Sequence, residues 1–258
     1  SLSSLRGIGA GQAPFRAAGS TSIKPGFTLA EVLITVGIIG VLAAMTLPAL
    51  LQQNQKKVAA TRLKQTYSQL YQSINMAQAE YGDMKNWDVI NNIYNSEIKG
   101  ENPIKVFGDM ISPYLKASNK PDMYKISDLG YPGYKTKDGR TYMNSSNTYY
   151  VVELANGVTL FMSFDVSGSA DDEKKYSYPG ILIDINGKTK PNITGQDLFY
   201  FHFDSVNRMK LMPYCSSDTR EQLLAKCAAN SGQPAYYNLC CTALIMRDGW
   251  EIKKDYPW

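Results

Sequence analysis

A single histidine, His202, occurs among the 258 residues. That excludes multi-histidine metal sites and leaves most acid–base enzymes short of their commonest group. His202 lies inside the aromatic run Phe199–Phe203, and no serine or cysteine nucleophile motif accompanies it. It reads as a structural strand residue rather than part of a triad. No phosphate-binding loop and no dinucleotide fingerprint is present. The first 26 residues contain no acid, only the bases Arg6, Arg16 and Lys24. The whole chain carries 27 basic and 23 acidic residues, a formal net charge of +4, so setting those three bases aside leaves a body of +1. A nearly neutral body argues against nucleic acid as the main partner. Cysteine is absent before Cys215, and charge is absent from Val32 to Leu51. Each of these two gaps frames a positive feature.

The uncharged stretch is 20 residues long, within Phe27–Leu51 (FTLAEVLITVGIIGVLAAMTLPALL). About 20 apolar residues span a hydrocarbon core of roughly 30 Å. The segment is apolar all round, whereas a core helix would alternate faces, so it reads as a membrane anchor. Residues 1–26 are small, basic and without apolar periodicity, which predicts a segment that is disordered or removed. Glu31 stands at the apolar end of the span. It either sits at headgroup level or awaits a cationic partner, since an unpaired carboxylate in lipid costs ~2.5–3.5 kcal/mol at the bilayer centre. A cut after Gly26 would place a new α-amine on Phe27, one helical turn from Glu31.

Beyond the span, Leu63, Tyr67, Leu70, Ile74, Ala77 and Tyr81 recur at helical spacing. They predict an amphipathic helix with one apolar stripe, ended by Gly82-Asp83 and packed on the protein's own domain. From Phe27 to Tyr81 such a helix would run ~80 Å. Asn102 to Leu115 predicts a short amphipathic helix with a tolerated early proline. The rest of 82–140, with Pro121, Gly130, Pro132, Gly133 and Gly139, reads as loops. Strand signals cluster at Tyr149–Leu154, Val158–Phe164, Ile181–Ile185, Leu198–Phe203 and Met209–Met212. Asn156-Gly157 marks a hairpin turn. Together they predict an antiparallel sheet of four or five strands, one face on the helix stripe, in an α+β fold.

The four cysteines, Cys215, Cys227, Cys240 and Cys241, fall within 27 residues. They lack the Cys-x-x-Cys pairs of zinc sites and predict two disulfides in an oxidising compartment. A bond between the adjacent Cys240 and Cys241 would be strained. Two connectivities remain: 215–240 with 227–241, or 215–241 with 227–240. Between the cysteines, Asp218-Thr219-Arg220-Glu221 reads as a capping box opening a short helix. Asp184, Asn186 and Asp197 bring oxygen side chains to one turn region. This is a weak calcium candidate; no glutamate closes it and Lys188 intrudes, so Asx hydrogen bonding is the simpler reading. No resident cofactor is expected.

Lys24-Pro25-Gly26 followed by Phe27-Thr28-Leu29-Ala30-Glu31 resembles the class III prepilin signal of type IV pilins and type II secretion pseudopilins. The resemblance covers about 25 contiguous residues. It implies cleavage after Gly26, N-methylation of Phe27, and an assembly role for Glu31, fifth after the cut. Gly40 and Pro48 fall where that family has a glycine and a helix-loosening proline. The 26-residue leader is long for the type IVa class. The implied organisation is a cleaved leader (1–26), an apolar transmembrane and assembly helix (27–51), its amphipathic continuation (52–82), and a globular periplasmic or extracellular domain (83–258).

The expected fold is pilin-like and the expected role structural rather than enzymatic. The implied partners are a prepilin peptidase, other pilin or pseudopilin subunits, an inner-membrane assembly platform and the lipid bilayer. Lys56, Lys57, Arg62 and Lys64 follow the span, so basic residues flank both sides of it. The resemblance and the cysteines then place the N-terminus in the cytoplasm and the C-terminal domain in the periplasm of a bacterial inner membrane. The 184–197 segment is also similar to late loops of pseudopilin-like proteins, some of which bind calcium. The rival role is a membrane-anchored binding domain at a filament tip, for DNA, adhesion or secreted cargo. A localised basic or aromatic patch would mark it.

Overall fold

The computed structural model describes residues 26–91, 100–167, 176–204, 210–228, 230 and 232–258. The leader bases Arg6, Arg16 and Lys24, and Met209, lie outside them. The chain divides into two compact units, one up to Ala49 and one from Leu50 to Trp258.

Helix α1 (Leu29–Tyr81) contributes to both. In the first unit it is apolar on every side, and Leu33, Val36, Ile39 and Leu42 are exposed in the isolated chain. It contains a stretch long and apolar enough to cross a membrane, with a mean hydropathy of 2.3.

In the second unit the rest of α1 becomes amphipathic. Ala59, Ala60, Leu63, Leu70, Ile74 and Ala77 are buried, joined by Thr66 and Ser73. The two hydroxyls cost little there, because each donates back to a helix carbonyl, Thr66 to Arg62 and Ser73 to Leu70. Tyr81 departs from the predicted stripe. It is 47% exposed and meets Trp87 edge-on. The helix stops at Gly82, whose positive φ of 83° suits a residue without a Cβ.

A short helix α2 (Asp88–Asn91) follows, then α3 (Pro103–Ile111), capped by Asn102, whose side chain accepts from the Ile104 amide at 2.9 Å. The strands are β1 (Asp122–Lys125), β2 (Gly133–Lys135), β3 (Thr141–Asn144), β4 (Thr148–Glu153), β5 (Thr159–Ser167), β6 (Tyr176–Asp184), β7 (Leu198–Asp204) and β8 (Lys210–Pro213), with short 3-10 turns between elements. Helices α4 (Arg220–Cys227) and α5 (Cys241–Arg247) end the chain's regular structure.

Six strands form one sheet in the order β1-β4-β5-β6-β7-β8, every neighbouring pair antiparallel; β2 and β3 form a separate hairpin. The sheet thus exceeds the expected four or five strands. The extra strand, β1, comes from the stretch read as loops, as does β2. Both are too short to show an alternation.

Strand alternation sends Tyr150, Val152, Leu160, Met162, Ile181, Ile183, Phe199 and Phe201 to one face, where they join the α1 stripe, Phe107 and Ile111 in the main core. Tyr67 and Phe201 meet there at 5.2 Å between ring centroids. The opposite face buries Val151, Phe161, Leu182, Leu198 and Tyr200 beneath Tyr131, Tyr134 and Met143. Burial on both faces explains why β4 to β7 read as nearly continuous apolar runs. The architecture is α+β and pilin-like: a long N-terminal helix packed on an antiparallel sheet.

Candidate functional site

Gly26, Phe27 and Thr28 precede the first helical residue, Leu29, and Phe27 is 89% exposed. The Gly26–Phe27 bond is therefore outside the helix and open to solvent. Thr28 is the cap. Its amide and hydroxyl both donate to Glu31 Oε2 at 2.9 Å, and the Glu31 amide donates to Thr28 Oγ1 at 3.2 Å. This is a reciprocal capping box, which satisfies amides that the first helical turn leaves orphaned. The sequence reading singled out Glu31 and missed Thr28. The signal was present, a Thr-x-x-Glu spacing immediately before an apolar run.

Further along, nothing lies within 4 Å of a side chain built at Gly40. Pro48 sits inside the helix, where its missing N–H leaves the Ala44 carbonyl without the usual donor. Thr46 Oγ1 donates to the Leu42 carbonyl at 2.9 Å one turn earlier.

The turn region after β6 gathers Asp184, Asn186 and Asp197. Asp184 Oδ1 accepts from the Asn186 and Gly187 amides at 3.0 and 2.9 Å, and Oδ2 accepts from the Tyr134 hydroxyl. Asp197 accepts from the Asn192 and Ile193 amides, both at 2.6 Å. Burial pushes the Asp184 carboxyl up to about 8 against those three donors, with Asp197 adding repulsion. Burial also raises Asp197. The oxygens of both carboxyl groups are thus engaged within this segment and with Tyr134, which supports its reading as an Asx turn.

The cysteines pair as Cys215–Cys240 and Cys227–Cys241, the first of the two connectivities left open. One bridge ties the end of β8 to the residue before α5; the other ties the end of α4 to the start of α5. Helix α5 is itself docked on the sheet, where Thr242 Oγ1 accepts from the Tyr200 amide at 3.1 Å. Cys215, Asp218 and Cys240 offer ligand-type atoms within 4.8 Å of one another, but both sulfurs are in the disulfide and are not thiolates. The capping box of α4 lies one residue later than predicted. Thr219 is the cap and Gln222, not Glu221, closes it. Both readings use a polar cap three residues from an acid or amide, and a run of five polar residues does not choose between them.

His202 stacks on Tyr200 at 6.1 Å and meets Tyr214 edge-on at 6.1 Å. It is a half-buried member of an aromatic row. The C-terminal segment packs on the domain: Tyr256 is buried and its hydroxyl donates to the Gly195 carbonyl at 2.5 Å. Lys137 donates to the Pro257 carbonyl and lies 4.8 Å from the centre of the Tyr256 ring. Burial, and secondarily Lys56, lowers Lys137 to about 7.

Residues 49–258 match the model of a family of unknown function, DUF6613. The chain belongs to that family. Residues 23–47 match the prokaryotic N-terminal methylation motif, the leader signature of type IV pilins and pseudopilins. No curated protein and no solved structure matches the chain. The motif makes the chain a pilin-like substrate of a prepilin peptidase, and pilin-like proteins are structural rather than catalytic. Leader and apolar helix together are consistent with single-pass anchoring in an inner membrane.

Proposed function

We propose that this protein is a structural filament subunit, cleaved between Gly26 and Phe27, N-methylated at Phe27, and assembled into a type IV pilus or a type II secretion pseudopilus. The observation that carries the reading is the position of Gly26–Phe27: within the methylation motif, exposed, and two residues short of the helix. A peptidase needs an accessible bond outside the helix, and the exposed, non-helical Gly26–Phe27 supports this reading.

In this reading residues 1–26 are the leader and 27–51 the membrane and assembly helix. Residues 52–82 are its amphipathic continuation and 83–258 the globular domain. The N-terminus is cytoplasmic and the domain periplasmic, where the two disulfides are retained. Cleavage creates an ammonium group on Phe27. An incoming subunit could offer it to Glu31 of a docked neighbour, which would remove the cost of an unpaired carboxylate among apolar helices. Gly40 and Pro48 loosen the helix for packing among neighbours.

The test is expression beside a complete assembly machinery, followed by comparison of membrane-bound and sheared filament protein. Recovery of the processed chain in the sheared fraction is expected. A fully processed chain confined to the membrane would overturn the filament role.

A further inference from the structure

A cleft of about 580 Å³ lies within the second unit, between the α1 segment Asn54–Arg62, the loop Ile185–Asp197 and Trp258. We propose that this cleft binds the phosphodiester headgroup of an anionic phospholipid. The proposal rests on the membrane-anchored reading above.

Charge is the first argument. Arg62 and Lys190 line the cleft, and Lys56 lies over the Trp258 ring at 5.8 Å. Arg62 spends one guanidinium nitrogen on the Ile185 carbonyl at 2.9 Å, which fixes the group while other N–H bonds remain to be used. Lys190 is exposed and has no ion-pair partner among the described residues. Asp197 is the one carboxylate in the lining, and the Asn192 and Ile193 amides hold it.

Position is the second. Leu50 and Leu51, the last residues of the apolar run, open this unit and are exposed. Asn54, the first lining residue, follows Leu51 on the same helix by three residues, or ~4.5 Å of rise. If the apolar run spans the bilayer, the helix leaves the hydrocarbon near Leu51, a few residues from this cleft, and tryptophan such as Trp258 is favoured at such an interface.

Chemistry is the third. Asn54, Gln55 and Gln196 add amide donors and acceptors to the lining. A phosphate bearing a hydroxylated substituent, as in phosphatidylglycerol, offers oxygens to Arg62 and Lys190 and hydroxyls to the amide side chains of Asn54, Gln55 and Gln196. Phosphatidylcholine carries a cation with no N–H and no hydroxyl, and it meets two like charges.

The experiment is native mass spectrometry of the full chain in neutral detergent with equal amounts of phosphatidylglycerol and phosphatidylcholine. One retained phosphatidylglycerol per chain is expected, with little phosphatidylcholine. Removing one cation near a membrane surface should cost roughly five-fold in retention, so Arg62→Gln and Lys190→Gln should each lose that much. Lys64→Gln, an exposed charge of the same helix outside the cleft, should lose little. Arg62→Gln could disturb the loop, so its thermal melt is compared with wild type; Lys190→Gln makes no contact that folding needs. Equal retention of the two lipids, or an equal loss in Lys64→Gln, would overturn the cleft. Displacement of the lipid by millimolar inorganic phosphate, with phosphate retained instead, would overturn the lipid as ligand. Extraction of the chain from membranes by alkaline carbonate would break the anchoring reading and, with it, this proposal. Resistance to extraction with no lipid preference would break this proposal alone.

Discussion

Thr28 and Glu31 close the start of α1 reciprocally, each side chain accepting from the other's backbone amide. The cap needs only an acceptor at Glu31, whereas the proposed pairing with a neighbour's amine needs the charge that only a carboxylate supplies. Glu31→Gln keeps an acceptor for the Thr28 amide and loses the charge. Insertion and leader cleavage should stay at wild-type levels, while incorporation into filaments falls sharply. Glu31→Ala should also loosen the helix start, because the Thr28 amide loses its acceptor. Wild-type filament yield from Glu31→Gln would remove the charge-pairing role and leave the cap.

Gly108 on α3 lies against Tyr150 of β4, and a Cβ there would approach the ring to 2.4 Å. Tyr150 cannot simply swing away, because its hydroxyl contacts Ser112 at 3.0 Å and donates to Asp109 at 2.7 Å. Gly108→Ala should destabilise the domain by ~1–3 kcal/mol through overpacking, although alanine is the better helix former. A chemical denaturation curve measures this. An unchanged midpoint would mean that α3 moves freely over the sheet.

Which parts were legible follows from how each is encoded. The α1 stripe was readable because Leu63, Leu70, Ile74 and Ala77 repeat at helical spacing over several turns. The hairpin between β4 and β5 was readable because Asn156-Gly157 fixes its turn locally. β1, with four residues, and the β2–β3 hairpin were not, because their pairing partners are set by tertiary contacts and, of their residues, only Tyr134 and Met143 are buried. The outer face of the sheet was hidden for a related reason: Tyr131 and Tyr134, which cover it, sit among glycines and prolines that read as loop. At the N-terminus a local motif carries the signal, so Gly26, Phe27 and Glu31 could be named from sequence. The cleft beside Trp258 could not, since it joins residues 54–62, 185–197 and 258.

Each of the two bridges should contribute roughly 2–4 kcal/mol, chiefly by restricting the unfolded chain. Non-reducing peptide mapping should find Cys215 linked to Cys240, Cys227 linked to Cys241, and no free thiol. Reduction should lower the melting temperature of the full chain in detergent. The crossed pairing, or four free thiols holding one zinc ion, would contradict the arrangement.

Asp184 gives stability a pH dependence. Its folded pKa of about 8 lies above the ordinary 3.8. Between those values the unfolded chain is ionised while the folded one keeps its proton, so the folded state binds more protons. Stability should therefore decline as pH rises from 4 towards 8, at up to ~1.4 kcal/mol per pH unit, and level off above that. Asp184→Asn should flatten the decline, so that the variant gains on wild type as pH rises from 5 to 8. Parallel melting profiles for the two proteins would show that Asp184 is ionised in the fold.

Everything proposed for this chain depends on its being cut between Gly26 and Phe27 and methylated at the new terminus. The deciding measurement is the mass of the N-terminal peptide of the protein purified from membranes of cells with an active prepilin peptidase. The account predicts a mature chain that begins at Phe27 with one methyl group on its α-amine, and an unprocessed chain when Gly26 is replaced by arginine. A mature chain beginning at any other residue, or an intact leader beside an active peptidase, would contradict it.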